Sequence, residues 1–196
     1  MTVAVSMKLT GHNVDATKRL GQFLKTSSPH VKSFWNAMKG IVWKSTGSHI
    51  RNNKGPTSDW KPMHAVTKIL RVHGGDKLLQ DNGTLINSVT SMAQGTYLTQ
   101  SITRMEIGTN LKNPKTGVCF PRVLAEGAKV PVSGKMVVYM FHRGINYFGK
   151  DFVEIPARPF IYVDRMMQED ARQLVKRTID GVALNKSSMV TENIPV

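Results

Sequence analysis

Hydrophobic positions change period several times along the chain, and each change predicts an element. Val3, Val5, Met7 and Leu9 alternate with Ala4, Ser6 and Lys8, which predicts a short strand or extended arm. From Asn13 the spacing turns helical through Val14, Leu20, Phe23 and Leu24, with Asn13 or Asp15 available as a cap. Beyond Pro29, Val31, Phe34, Trp35, Met38, Ile41 and Val42 repeat at three and four, the strongest amphipathic helix of the N-terminal half. Residues 47–59 (GSHIRNNKGPTSD) read as a loop, and a modest helical stretch follows from Ala65 to Val72.

Asp81-Asn82-Gly83 is a turn signal. Leu85 to Ala93 and Leu98 to Ile107, both rich in Thr, Ser, Val and Ile, are expected to form an antiparallel pair joined at Gln94-Gly95-Thr96. Phe120 to Glu126 predicts a helical turn, and Lys135 to His142 a strand. Val163, Met167, Ala171, Leu174, Val175, Thr178 and Val182 line one face of a final helix that Asp164 can cap and Gly181 can stop. Residues 185–196 are aperiodic and read as a tail.

Before that helix stands VEIPARPFIYVD, residues 153–164. Pro156 and Pro159 fix φ near −65° and bias Ile155 and Arg158 toward extended backbone. Phe160, Tyr162 and Val163 can then anchor the chain as the last helix begins. Arg158, between stiff neighbours, is expected to make a defined polar contact, within the subunit in preference to across an interface.

Composition adds a strong basic bias. The chain of 196 residues holds 27 Lys and Arg against 13 Asp and Glu, a formal net charge of +14. Residues 1–80 carry 13 basic and 3 acidic residues, and residues 81–196 carry 14 and 10, so the excess is N-terminal. A basic surface of this kind suits nucleic acid, through counterion release, or acidic protein neighbours. The hydrophobic fraction of 40% suggests that part of the chain is extended or is buried only against neighbours. No apolar run approaches the ~20 residues of a membrane span, so a soluble protein without a signal peptide is expected.

The chemical motifs fail on mechanical grounds. Gly144 to Lys150 matches the Gly-x4-Gly-Lys part of a phosphate-binding loop, but Asp151 replaces the magnesium-binding hydroxyl and would repel phosphate. Pro156 also keeps a helix from following directly. The histidines at 12, 30, 49, 64, 73 and 142 have no i, i+4 pair, and Cys119 stands alone. No catalytic residue, cofactor or metal site is expected.

Five stretches in order resemble the virion-morphogenesis, or tail-completion, family of tailed bacteriophages. SDWKPMHAVTKIL resembles its Trp-x-Pro-Leu-x-x-x-Thr segment at Trp60, Pro62, Met63 and Thr67. LLQDNGTLINSV is similar to Leu-x-Asp-x-Gly-x-Leu-x-x-Ser-Ile at Leu79, Asp81, Gly83, Leu85, Ser88 and Val89. MEIGTN resembles the Val-Gly-Thr-Asn that ends its second strand, at Gly108, Thr109 and Asn110. FPRVLAEGA resembles a Tyr-Ala-x-Ile-His-Gln-x-Gly segment, departing from it where Phe120-Pro121 replaces Tyr-Ala and again at the His-Gln step. IPARPF is similar to Ile-Pro-x-Arg-Pro-Phe at Pro156, Arg158, Pro159 and Phe160.

The matches span roughly residues 57–181. The resemblance implies an α/β (α+β) fold: a small, mainly antiparallel sheet packed with two or more helices, the last of them long. It implies one domain over 1–184, with a basic helical part to about residue 80, and a tail over 185–196. It also implies a structural role at the virion neck, in a homo-oligomeric ring, a hexamer by expectation, that completes the tail and joins it to the head. Partners would be neighbouring neck and tail proteins and, non-specifically, DNA passing through the ring. A basic nucleic-acid-binding protein acting without a virion ring is the alternative.

Overall fold

The computed structural model describes residues 3–8, 28–64, 67–68, 77–80, 82–101, 104–114, 116–146 and 148–191, with side chains between 31 and 181. The helix expected over 13–24, most of the Ala65–Val72 stretch and Asp81 lie outside the described residues. The elements run β1 (Val3–Lys8), α1 (Ser28–Arg51), α2 (Thr84–Thr90), β2 (Thr96–Gln100), β3 (Arg104–Thr109), α3 (Phe120–Glu126), β4 (Ala128–Pro131), α4 (Gly134–His142), β5 (Phe152–Ile155) and α5 (Arg165–Thr191). This is the expected small α+β fold with antiparallel strands and a long C-terminal helix.

β3 is the centre of a three-stranded sheet in the order β1-β3-β2. Val3 pairs with Thr109 and Lys8 with Arg104, while Thr96 also faces Thr109 across the β2–β3 hairpin. Alternation along β3 turns Met105 and Ile107 inward, fully buried. They meet Val31, Phe34, Trp35, Met38 and Val42 of α1 and Met167 of α5, which form the first core cluster. The period of three and four does build α1, and it runs farther than expected, because residues 47–51 continue the helix. Thr46, His49 and Ile50 extend the buried face, so only 52–59 form the loop.

A second cluster gathers Ile50, Trp60, Leu78, Leu85, Val89, Leu111 and Phe160. Its residues come from six places in the sequence, and burial of each large side chain contributes on the order of 1.5–3 kcal/mol. A third, smaller cluster lies in an arm made of β4, α4 and β5: Met140 and Ile145, with Val132, Met136, Val137 and Val153 against them. β4 and β5 pair antiparallel from Ala128↔Ile155 to Pro131↔Phe152.

Three expectations are corrected. Leu85 to Ala93 is not the first strand of a hairpin but contains helix α2, because Leu85, Ser88 and Val89 share one buried face at helical spacing. Asn82 starts it, its side-chain oxygen accepting from the Thr84 amide at 3.1 Å. The antiparallel pair instead lies within the second of the two expected segments, as β2 and β3. Lys135 to His142 is helix α4, not a strand: Ser133 Oγ caps it by accepting from the Met136 amide, and Met136, Val137 and Met140 turn inward together. Gly181 does not stop α5, which continues to Thr191 through residues read as tail. The Asp164 cap is as expected, its Oδ1 accepting from the Met167 amide at 2.6 Å.

Gly127 joins α3 to the arm at φ 78°, ψ 169°, a conformation essentially confined to glycine. A Cβ there would lie 2.8 Å from the Ile155 carbonyl oxygen and 2.9 Å from the Ala157 nitrogen. Gly149 has a similar φ of 76° but open space around it. Gly149→Ala is expected to cost about 1–2 kcal/mol for its left-handed backbone alone. Gly127→Ala, which must also displace backbone, is expected to cost about 3 kcal/mol or more in urea denaturation.

Candidate functional site

The segment from Ile155 to Asp164 is held by α1, α3 and the loop at 54–61. The Arg158 amide donates to the Leu124 carbonyl of α3 at 2.8 Å. Trp60 Nε1 donates to the Pro159 carbonyl at 3.2 Å, and His49 Nδ1 lies 3.2 Å from the Phe160 carbonyl. Between these contacts the Phe160 ring is completely buried in the second cluster. Tyr162 donates its hydroxyl to the Gly55 carbonyl at 3.0 Å. Burial first, then the charges of Asp164 and Asp59, push its phenol above the ordinary 10.0.

His49, Ser45 and Asp164 bring together a Ser-His-Asp trio that sequence reasoning missed. His49 Nε2 lies 2.7 Å from Asp164 Oδ2 and 3.2 Å from Ser45 Oγ, and Ser45 donates to the same Oδ2 at 3.2 Å. A nucleophile relay places serine and carboxylate on opposite ring nitrogens. Here both sit at Nε2, and Nδ1 faces the Phe160 carbonyl oxygen. Tyr162 stacks on the ring at 3.9 Å between centroids, with 6° between the planes. The trio therefore acts as a clasp joining α1 to the start of α5. The signal available in sequence was the Ser45–His49 spacing of four on α1, opposite a capping aspartate.

The expected site residues fall into two groups. Trp60, Leu85, Arg158 and Phe160 are buried and converge around the second cluster. Pro159 supplies its carbonyl there, half-buried Pro156 leads in from β5, and Gly83 precedes α2 at φ 74°. Gly108 is buried on β3, paired with Ala4 and Tyr97. Pro62 is exposed. A cavity of about 480 Å³ opens beside the cluster, floored by Leu79, Leu85, Leu111 and Leu124, with Arg158 and Lys112 in its wall. Arg158 itself is buried, and its Nη2 donates to the Lys61 carbonyl at 3.4 Å, a contact within the subunit.

The P-loop-like stretch, described except for Tyr147, runs from the end of α4 into strand β5, so no helix N-terminus meets it. Among the described residues, no group of three His, Cys, Asp or Glu side chains is placed to hold a metal, and no helix is long and apolar enough to cross a membrane.

Two surfaces stand out beyond the corner. On α4, Val138, Tyr139 and Phe141 are exposed by 58%, 51% and 61%, and Phe148, exposed by 64%, meets Phe141 edge-to-face at 5.8 Å between centroids. Arg143 lies over the Tyr139 ring, and exposed Lys135 and Lys150 border the patch beside Asp151. On α5, Met166 is exposed by 72%, and the solvent side mixes both charges: Arg165, Arg172, Lys176 and Arg177 stand with Glu169 and Asp180, and Arg172 lies 3.9 Å from Glu169. No protein-family model, curated protein or solved structure matches the chain.

Two outcomes test the corner. Arg158→Ala is expected to lower subunit stability by about 1–3 kcal/mol in urea denaturation, since it strips polar contacts from a buried site. The second concerns pH. Burial alone pushes the Asp164 carboxyl up, but the Met167 amide, His49 and Ser45 outweigh it and hold the group below its ordinary 3.8. A carboxyl depressed on folding stabilises fully above its unfolded value and loses that contribution as pH falls through the lower folded one. Wild-type urea midpoints should therefore drop along this acid limb. Asp164→Asn, which keeps a capping oxygen, should start lower at pH 7 and fall less steeply.

Proposed function

We propose that this chain is a structural protein of the neck or tail end of a tailed-phage virion, forming an oligomeric ring that completes the tail and joins it to the head. One observation carries the reading. The five stretches that resemble the tail-completion family are scattered along the sequence, yet four of them meet in one place. Trp60, Leu85, Leu124 and Phe160, one from each, pack in or against the second core cluster. The remaining stretch ends β3, where Thr109 accepts from Ser88 of α2 at 2.9 Å, both side chains buried. Motifs that agree only by chance have no reason to share a core.

On this reading the work of the chain is geometric. The corner at 155–164 sets the angle between the sheet and α5, and the ring is built from surfaces that this angle positions. The role is that of a fitted part without chemistry of its own, and the location is the virion, assembled in the host cell. The net charge of +14 suits a ring that surrounds exiting DNA or meets acidic neighbours.

The test is disruption of the gene in the phage or prophage that carries it, with lysates imaged by electron microscopy. Filled heads and separate, unjoined tails are expected, and normally joined, infectious particles would remove the reading. Binding of the purified chain to random duplex across a salt series separates the alternative. A nucleic-acid-binding protein must bind at low salt and release steeply as salt rises.

A further inference from the structure

The arm formed by β4, α4 and β5 carries aromatic rings in water, with cations set among them. Helix α4 reads GKMVVYMFH, apolar nearly all round, and a helix of that kind is ordinarily buried on every side. Its inner face is, through Met136, Val137 and Met140. On its outer face Tyr139 and Phe141 are exposed, and exposed Phe148 meets Phe141 edge-to-face. A fourth exposed ring, Phe152, lies on the other side of the arm. Val153 of β5 packs in the cluster under α4, and Phe152, one residue earlier on the strand, alternates to the opposite face.

The cations of the arm are not confined to a rim. Arg143 lies over the Tyr139 ring at 5.5 Å from its centroid, and Lys129 over the Phe152 ring at 4.8 Å. Exposed Lys135 stands one helical turn before Tyr139, and exposed Lys150 falls between Phe148 and Phe152 in the chain. Against these four, residues 128–155 hold the acids Asp151 and Glu154, and Glu154 stands opposite Lys129 in the strand register. The balance favours an anionic occupant, and the rings favour one with an apolar or aromatic part.

The distribution discriminates among anionic occupants. The core of a protein interface is depleted of charge, whereas here cations stand on the rings themselves. A lipid surface is flat, and rings on opposite faces of one arm cannot enter it together. A single nucleic-acid strand bends from one face to the other, stacks its bases on any aromatic ring and lays its phosphates against the cations between them. A duplex keeps its bases stacked on one another and leaves such rings unused. We propose that the β4–α4–β5 arm binds single-stranded nucleic acid without sequence preference. Unpaired bases stack on Tyr139, Phe141, Phe148 and Phe152, and Lys129, Lys135, Arg143 and Lys150 meet the phosphates. The proposal does not rest on the virion reading: strand binding is measured on purified protein and the virion role in lysates, so either can fail alone.

Fluorescence anisotropy of the full-length chain with two labelled strands tests it: an oligothymidine, and an abasic oligodeoxynucleotide of equal length that has the phosphates without the bases. The abasic strand reports whatever the charge of the whole chain contributes by itself. Wild type is expected to bind the oligothymidine about tenfold or more tightly than the abasic strand. Phe141→Ser with Phe148→Ser should weaken oligothymidine binding about tenfold or more and leave abasic binding unchanged. Phe141→Tyr with Phe148→Tyr, which keeps both rings, should bind like wild type. Lys135→Glu with Arg143→Glu should weaken both strands, and urea midpoints should hold throughout. The proposal falls if wild type binds the two strands equally, if the serine variant binds oligothymidine like wild type or loses both strands alike, or if the tyrosine variant binds as weakly as the serine one. It also falls if the serine variant keeps oligothymidine binding while losing phosphatidylglycerol vesicles or self-association, which would make a lipid surface or a second protein the occupant.

Discussion

The Pro159 carbonyl accepts a hydrogen bond from Trp60, the adjacent Phe160 carbonyl faces His49 Nδ1 at 3.2 Å, and the Phe160 ring between them is sealed in the core. Those contacts constrain the rest. Polar backbone entering an apolar cluster must find partners, or the cost of burial exceeds the gain from the ring. Trp60 and His49 face them from two other parts of the chain, so the corner depends on α1 and on the loop after it. The prolines at 156 and 159 lower the cost of that meeting by narrowing the backbone before contact is made. Asp164 then completes the turn, satisfying the first turn of α5 and His49 with the same carboxylate.

Much of this was legible in the sequence, and the failures have one cause. The stripes of α1 and α5 could be read because each repeats over several turns, and the Asp164 cap because a helix start needs an oxygen there. Residues 84–90 and 134–142 were misread because β-branched and aromatic composition outweighed a period too short to be decisive. Leu85, Ser88 and Val89 show the helical face clearly, but a single turn of spacing carries little weight against Thr, Ile and Val. At the second place Ser133 caps the helix, and at the first Asn82 bonds the Thr84 amide just ahead of it.

The clasp of Ser45, His49 and Asp164 was illegible for a different reason. Its members lie 115 to 119 residues apart apart from the local pair, and only the docking of α5 on α1 makes them neighbours. Resemblance to known motifs located the corner as a string of residues, while the packing gives that string a purpose. A corner that fixes one long helix against a sheet accords with the shape-holding role proposed for this chain.

Helix α1 has a consequence for how the molecule comes apart. At 24 residues it is about 36 Å long. Val31 to Val42 seat it in the first cluster and Ile50 in the second. The same helix therefore couples the two clusters, so loosening one removes support from an element that the other also uses. The arm's cluster shares no buried residue with them among those described. The amides of α4 are therefore expected to exchange ahead of those of α1.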